Sequence, residues 1–461
     1  MNIKFGTDGW RAIIAEEYTV DNVARVCVAV AKWLNDKYQH PKAVVGHDCR
    51  FGGALFAQTT AKVLHHMGIE VVMANQFVTT PMLSLAVLEH QAQIGIVITA
   101  SHNPPEYNGY KLKGHFGGPL LPKDIQAVED LIPEIHGLDL NALGLDGVQQ
   151  ADFHQLYLDK AAQHFDLEAI RSSDLRLGFD AMFGAGRKAI PSLFPDTTLF
   201  HCTDNPGFNG TAPEPIHRNL NEFSNYIKQS GDIDCGLATD GDADRIGLYN
   251  AKGQFIDSHH IILLLIHYLV KYKGMKGKVV SAFSCSVKVA KMCAHYGLEH
   301  QTVKIGFKHI AGIMLEEDCL LGGEESGGIA IKGHIPERDG IWMGLVIWEY
   351  MAKTGKSLDD LIKEVYDIVG GFAFERIDLH IDESKKQSIM ARCQDGGYTS
   401  FGGMPVVKVE DLDGYKFYFD QDSWVMIRPS GTEPVLRTYA EAANQAKCFD
   451  ILEKVHQELL K

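Results

Sequence analysis

A serine, a triplet of aspartates and a lysine carry the chemistry this chain could perform. Ser101 follows the apolar run 94–98, in Ile98-Thr99-Ala100-Ser101-His102-Asn103-Pro104-Pro105-Glu106-Tyr107-Asn108-Gly109-Tyr110-Lys111. A serine hydroxyl is a poor nucleophile unless a base assists it, or unless it already carries a phosphate that it passes on. The Gly-x-Ser-x-Gly elbow of hydrolases is missing, because Thr99 and Asn103 stand at its glycine places. Lys111 is near enough in sequence to reach the same pocket and move a proton, and burial among cations is expected to lower its pKa toward neutrality. His102 is a further catalytic candidate. Each would read alone as an ordinary turn or surface residue; their company argues otherwise.

That company is Asp240-Gly241-Asp242-Ala243-Asp244-Arg245. Carboxylates at i, i+2 and i+4, separated by small residues, can turn toward one hard cation, and an all-oxygen set favours Mg2+ or Ca2+ over zinc. A calcium hand wants Gly at the sixth loop position and Glu at the twelfth, where this chain has Arg245 and Ala251. Mg2+ leaves a place for a phosphate oxygen, so serine, metal and lysine together point to phosphoryl transfer.

Three further runs suit a phosphorylated sugar. Gly322-Gly323-Glu324-Glu325-Ser326-Gly327-Gly328 sets carboxylate and hydroxyl groups between glycine pairs. Arg428-Pro429-Ser430-Gly431-Thr432-Glu433-Pro434, with Arg437 beyond it, combines guanidinium, hydroxyls and free backbone N–H groups around a glycine, a phosphate cradle. Arg11 in Phe5-Gly6-Thr7-Asp8-Gly9-Trp10-Arg11 and Lys308 in Gly306-Phe307-Lys308-His309 are weaker anion contacts.

The elements that must position these residues alternate β-rich runs with amphipathic helices, the pattern of α/β layers. Strand 43–46 feeds a loop 48–53 and a helix 54–67, followed by strand 71–73. Strand 175–179, loop 180–186 and a helix repeat the theme, and strand 278–283, Ser284-Cys285-Ser286 and a helix to 296 repeat it again. Composition shifts at 134–151, 250–257 and 369–371 mark junctions. Beyond the last, 377–381, 406–409, 415–419 and 423–427 read as an antiparallel sheet closed by a helix over 443–460.

The bulk numbers exclude more than they assign. The 461 residues suffice for several domains, and 45% apolar residues for substantial cores. A net charge of −15, from 44 basic and 59 acidic residues, argues against a general nucleic-acid or anionic-membrane binder. Nine cysteines without a Cys-x-x-Cys pair read as reduced, mostly buried thiols. The first six residues lack an apolar signal core, and the apolar stretch 261–270 contains His267 and is too short to span a bilayer. The expectation is a soluble cytoplasmic protein.

With these residues in view, the chain resembles the α-D-phosphohexomutase superfamily. Residues 99–111 resemble its phosphoserine loop, 240–245 its metal loop, 323–328 its sugar loop and 428–434 its phosphate loop, in the family's order and across essentially the whole chain. The resemblance implies a four-domain α/β architecture around a central cleft. Three related α/β domains would cover 1–150, 151–255 and 256–370, and an α+β domain 371–461. It implies reversible conversion of a hexose 1-phosphate to the 6-phosphate through a hexose 1,6-bisphosphate. Ser101 would bear the phosphate, and Asp240, Asp242 and Asp244 would hold Mg2+ together with an oxygen on Ser101. Lys111 would be the general acid/base, while Arg11 and Arg245 steady the phosphoryl group. Glu324 and Ser326 would bind sugar hydroxyls, aided by Gly306 and Lys308. Arg428, Ser430, Gly431, Thr432 and Arg437 would grip the phosphate that is not reacting. Glu324-Glu325-Ser326-Gly327-Gly328 looks more like the glucose branch than the Glu-Gln-Ser-Gly-His of glucosamine enzymes, and Ala243 departs from a common Gly without changing a ligand. Glucose 1,6-bisphosphate is then the expected activator, and a monomer or homodimer the expected state. A phosphomannomutase or phosphoglucosamine mutase, a bisphosphate synthase and a non-catalytic phosphosugar binder are the alternatives.

Overall fold

A computed structural model describes residues 3–6, 8–430 and 435–461. They fall into two compact units, one of residues 1–278 and 306–362, the other of residues 279–305 and 363–461.

The first unit begins with a six-stranded sheet. Its members are β1 (Trp10–Ile13), β2 (Lys42–His47), β3 (Glu70–Ala74), β4 (Ile94–Ile98), β5 (Tyr107–Gly114) and β6 (Gln149–Ala151), in the order β1-β5-β4-β2-β3-β6. β4 is buried along its whole length and β2 in its four middle residues, so both read as unbroken apolar runs rather than alternating ones. The helix Val20–Lys37 starts where Thr19 accepts a hydrogen bond from the Asn22 amide, and it buries Val23, Val26, Val30 and Leu34 against the sheet. Helix Gly53–His66 starts after Gly52, whose φ of 74° suits glycine, so the turn 48–52 stays at the carboxyl end of β2.

β2 runs parallel to both β3 and β4. The chain leaves β2 toward β3 and returns on the other side to β4. Connections therefore diverge between β2 and β4, opening a crevice at their carboxyl ends. The turn 48–52 and Ser101 both lie there. β5 then runs back antiparallel to β4, and β1 pairs with β5, with Arg11 opposite Gly109. Opposed residues share a face, so Arg11 lies on the same side of the sheet as Lys111 and Lys113.

A second sheet repeats the device with β7 (Leu177–Asp180), β8 (Thr198–Phe200), β9 (Cys235–Thr239), β10 (Ile246–Asn250) and β11 (Phe255–Ile256), ordered β11-β10-β9-β7-β8. β7 is parallel to β8 and β9, so the divergence falls between β7 and β9, and Asp240 is the first residue past β9. Later in this unit, Cys319–Gly323 and Ile329–Ile331 form an antiparallel pair. Helix Gly340–Thr354, apolar all round, is almost wholly buried.

In the second unit, the residues of strand Lys278–Ala282 from Val279 onward pair in parallel with His300–Val303, with helix Lys288–Tyr296 between them in sequence. The C-terminal sheet runs Ala373–His380, Val435–Ala442, Trp424–Pro429, Tyr415–Tyr418, Lys408–Glu410, all antiparallel, with helix Gln445–Leu459 packed on it.

The sequence reading differs from this in places. The stretch 134–151 is not simply a junction: its end, β6, joins the first sheet beside β3. Helix Glu383–Gln394 escaped notice because it is polar and buries only Lys386, Ile389 and Cys393. Strand Val435–Ala442 escaped because, lying inside the sheet, it is buried on both faces and shows no alternation. The nine cysteines are free thiols, eight of them buried. Among the described residues, no helix is long and apolar enough to cross a membrane.

Candidate active site

Ser101 is 1% exposed and sits at φ 52°, a left-handed conformation that side chains rarely adopt. Its hydroxyl donates to Asp240 Oδ2 at 2.7 Å and lies 3.4 Å from His102 Nδ1. Burial, reinforced by Arg245, Arg11, Lys111 and Arg50, holds the pKa of His102 well below its ordinary value, so the imidazole is neutral.

The three aspartates converge. One oxygen from each of Asp240, Asp242 and Asp244 lies within 4.8 Å of the others, and all three residues are fully buried. Gly241 makes the approach possible: a Cβ there would fall 2.5 Å from the Ser101 carbonyl oxygen. Asp242 Oδ2 accepts from Thr80 Oγ1 at 2.5 Å and from Lys111 Nζ at 2.8 Å. Asp242 Oδ1 and Asp244 Oδ1, however, are buried without any hydrogen-bond partner. Buried anionic oxygens left bare are costly, and a hard cation between them removes that cost. The donor set therefore fits Mg2+. Without a cation, burial and the charges of Asp244 and Asp242 push the Asp240 carboxyl well above its usual range.

Lys111 departs from expectation. Its ammonium is wholly buried, 2.8 Å from Asp8 and Asp242 and 3.2 Å from Asp244. Burial alone would lower its pKa, but these three carboxylates outweigh burial and raise it. The sequence reading assumed cationic neighbours; the nearest charges in the fold are these three carboxylates, which strengthen its hold on a proton, with Arg338 acting the other way.

Arg11, part-buried, donates to Asn103 Oδ1 at 2.6 Å, and Arg245 lies 3.5 Å from Glu214. Arg338 joins this wall to the sugar-loop residues. Its guanidinium is 2.8 Å from Asp244 Oδ2, also pairs with Asp8, and lies over the Phe307 ring. Gly328 gives it room, since a Cβ there would meet Arg338 Cδ at 2.4 Å. Glu324 is 5% exposed and accepts from the Gly306 amide at 3.0 Å. Burial raises its pKa to about 7, with Arg338 pulling the other way. Gly306 holds a φ of 123°, which favours glycine, at the start of helix Phe307–Glu316. Ser326 and Lys308 are part-buried.

In the second unit, Arg428 and Arg437 sit directly opposite each other on adjacent antiparallel strands. Two like charges so placed repel unless an anion lies with them. Arg428 also contacts Asp413 at 3.1 Å, and the buried Ser430 offers its carbonyl to Lys386 at 3.2 Å. Gly431 and Thr432 lie outside the described residues.

The first unit thus brings together Ser101, His102, Lys111, Arg11, Arg245, the aspartates, Glu324 and Gly306. Sequence reasoning passed over Asp8, Thr80 and Arg338 as participants. Asp8 lay beside Arg11 in an already quoted glycine-flanked run, and Arg338 in Glu337-Arg338-Asp339-Gly340. Thr80 offered no local signal, since a helix-start threonine usually serves only as a cap.

Comparison with known proteins bears on these residues as a set. Family models described as phosphoglucomutase/phosphomannomutase alpha/beta/alpha domains I, II and III match residues 2–137, 155–253 and 257–369, and that family's C-terminal domain matches 398–457. A phosphoglucomutase/phosphomannomutase of Thermococcus kodakarensis is 31% identical, with 99% of each chain covered. A phosphoglucosamine mutase of Methanocaldococcus jannaschii is 30% identical over 98% of this chain and 96% of its own. A crystal structure from Thermus thermophilus, assigned to the phosphomannomutases, superposes with a TM-score of 0.89 at 32% identity over 100% of both chains.

Proposed function

The chain belongs to the phosphoglucomutase/phosphomannomutase family, and on that premise we propose that it interconverts hexose 1-phosphates and hexose 6-phosphates through a phosphorylated Ser101 and a hexose 1,6-bisphosphate. The observation that carries this reading is the buried Ser101 hydroxyl, 2.7 Å from a carboxylate of a convergent aspartate triplet that Lys111 also meets.

In the first half-reaction the bond from Ser101 Oγ to phosphorus breaks, and a bond from the sugar hydroxyl oxygen to phosphorus forms. The sugar hydroxyl gives up a proton, for which neutral His102 is the acceptor near Oγ. Oγ regains a proton, for which Lys111, held protonated, is the donor. Asp240, Asp242 and Asp244 would hold Mg2+, which when bound neutralises charge on the phosphoryl oxygens. Arg11 and Arg245 add fixed positive charge to the same pocket. Glu324 and Ser326 would orient the sugar, and Arg428 and Arg437 would bind the idle phosphate. The second half-reaction reverses these roles on the other phosphate.

We take glucose phosphate as the first substrate, because Gly328 stands where glucosamine enzymes carry His. Coupled assays on glucose, mannose and glucosamine 1-phosphates, with Mg2+ and a trace of glucose 1,6-bisphosphate, test this. Glucose 1-phosphate is expected to turn over fastest. A faster rate on another sugar would overturn the substrate assignment, and no turnover on any would overturn the reaction.

Glu324 supplies a pH prediction. A carboxyl that stays protonated to about pH 7 when folded, but ionises near 4.5 when unfolded, costs stability as pH rises between those values. That cost is at most about 3 kcal/mol. Glu324→Gln, which can still accept from the Gly306 amide, is therefore expected to raise Tm relative to wild type more at pH 8 than at pH 5, while raising KM. Thermal melts at the two pH values, read beside KM, check both halves.

A further inference from the structure

We propose that Arg50 is a positioning residue for the nucleophile: its guanidinium holds the backbone of residues 101–107 and so imposes the conformation that aims the Ser101 hydroxyl. This rests on the functional reading above only for what Ser101 does.

Arg50 lies in the turn after β2, across the crevice from the loop after β4. It is buried, and its terminal nitrogens are spent on carbonyls of that one loop. Nη1 donates to Pro104 O at 2.8 Å and to Tyr107 O at 3.2 Å; Nη2 donates to Asn103 O at 2.5 Å and to Ser101 O. Ser101 is gripped from its other side as well. Its amide donates to Thr99 Oγ1 at 2.9 Å, Thr99 Oγ1 donates to Asp48 Oδ2 at 2.5 Å, and Asp48 Oδ1 accepts the Arg50 amide at 2.9 Å. Amide and carbonyl of the nucleophile are thus tied to one three-residue stretch, Asp48-Cys49-Arg50, of the neighbouring turn.

The φ of 52° at Ser101 explains why such a grip is needed. A left-handed non-glycine residue costs about 1–2 kcal/mol and persists only where its surroundings impose it. The clamp also meets the second α/β sheet's loops. The Phe208 ring lies 4.9 Å from the guanidinium, and Gly241 of the aspartate loop abuts the same Ser101 carbonyl that Arg50 binds. Only a planar fork with several fixed donors serves these carbonyls together; a lysine ammonium cannot.

The test compares Arg50→Lys and Thr99→Val with wild type. A misplacement of about 1 Å is worth roughly 100-fold in rate. Arg50→Lys is therefore expected to lose kcat by about that factor, with KM within about threefold and hydrogen–deuterium exchange accelerated only across residues 99–107. A folded Arg50→Lys protein with near wild-type kcat and unchanged exchange there would overturn the proposal. So would protection lost uniformly through the unit, which marks a residue of the fold alone. Should Arg50→Lys not fold, Thr99→Val is judged by the same two readouts. Wild type run alongside separates the cases: if it turns over no hexose phosphate, the reaction assigned above fails, and the exchange data alone still judge the clamp.

Discussion

Ser101→Ala is expected to lose essentially all mutase turnover, with kcat down by about 10⁴-fold or more, the scale seen when a covalent nucleophile is deleted. The substitution removes one hydroxyl whose contacts are Asp240 and His102. The clamp on the neighbouring backbone uses the amide and carbonyl of residue 101, which alanine retains. The fold should therefore survive, with stability changed by about 1 kcal/mol or less. Intact-mass measurement after incubation with glucose 1,6-bisphosphate should show phosphate on wild type and none on the variant. Turnover retained by a folded Ser101→Ala protein would mean that phosphate travels by another nucleophile.

Removing the divalent cation is expected to be almost as severe. Chelation should abolish turnover, Mg2+ should restore it, and Asp242→Asn should not be rescued at ordinary Mg2+ concentrations. The reason is electrostatic: buried oxygens on Asp242 and Asp244 have no hydrogen-bond partner, and an amide at 242 removes one of the charges available to a cation. A readout besides activity exists. Ligand at about 100 times its Kd stabilises a fold by about 2.7 kcal/mol. Mg2+ should accordingly raise the Tm of wild type and leave that of Asp242→Asn unmoved. Equal Mg2+-dependent shifts in the two proteins would place the cation elsewhere.

The effect of the cation is distinguishable from an effect exerted through Lys111. Its ammonium already contacts Asp8, Asp242 and Asp244, so the variant at 242 leaves it two carboxylate partners. Any loss in Asp242→Asn that Mg2+ titration cannot reverse therefore does not come from stripping Lys111 of counter-charge.

Residue types and local spacing were enough to pick out Ser101, the aspartates that converge beside it, and the runs proposed here to face sugar and phosphate. Each is a short segment whose chemistry is written in consecutive residues, set at the end of a strand by glycines and small side chains. The same local logic located the buried strands β2 and β4, which lie in continuous apolar runs. It failed at the polar helix Glu383–Gln394, whose apolar stripe is too thin to show a period, and at Val435–Ala442, which is buried on both faces. It also failed wherever an interaction spans distant segments. Asp8 meets Arg338 across more than three hundred positions, and Arg50 reaches the carbonyls of 101–107 only because strand order brings two loops to one crevice. The protonation of Lys111 shows the difference most clearly. That a lysine follows the serine is a property of the chain. Whether it gains or loses affinity for its proton depends on which charges surround it at about 3 Å, and only the folded packing of β5 against two distant segments sets that.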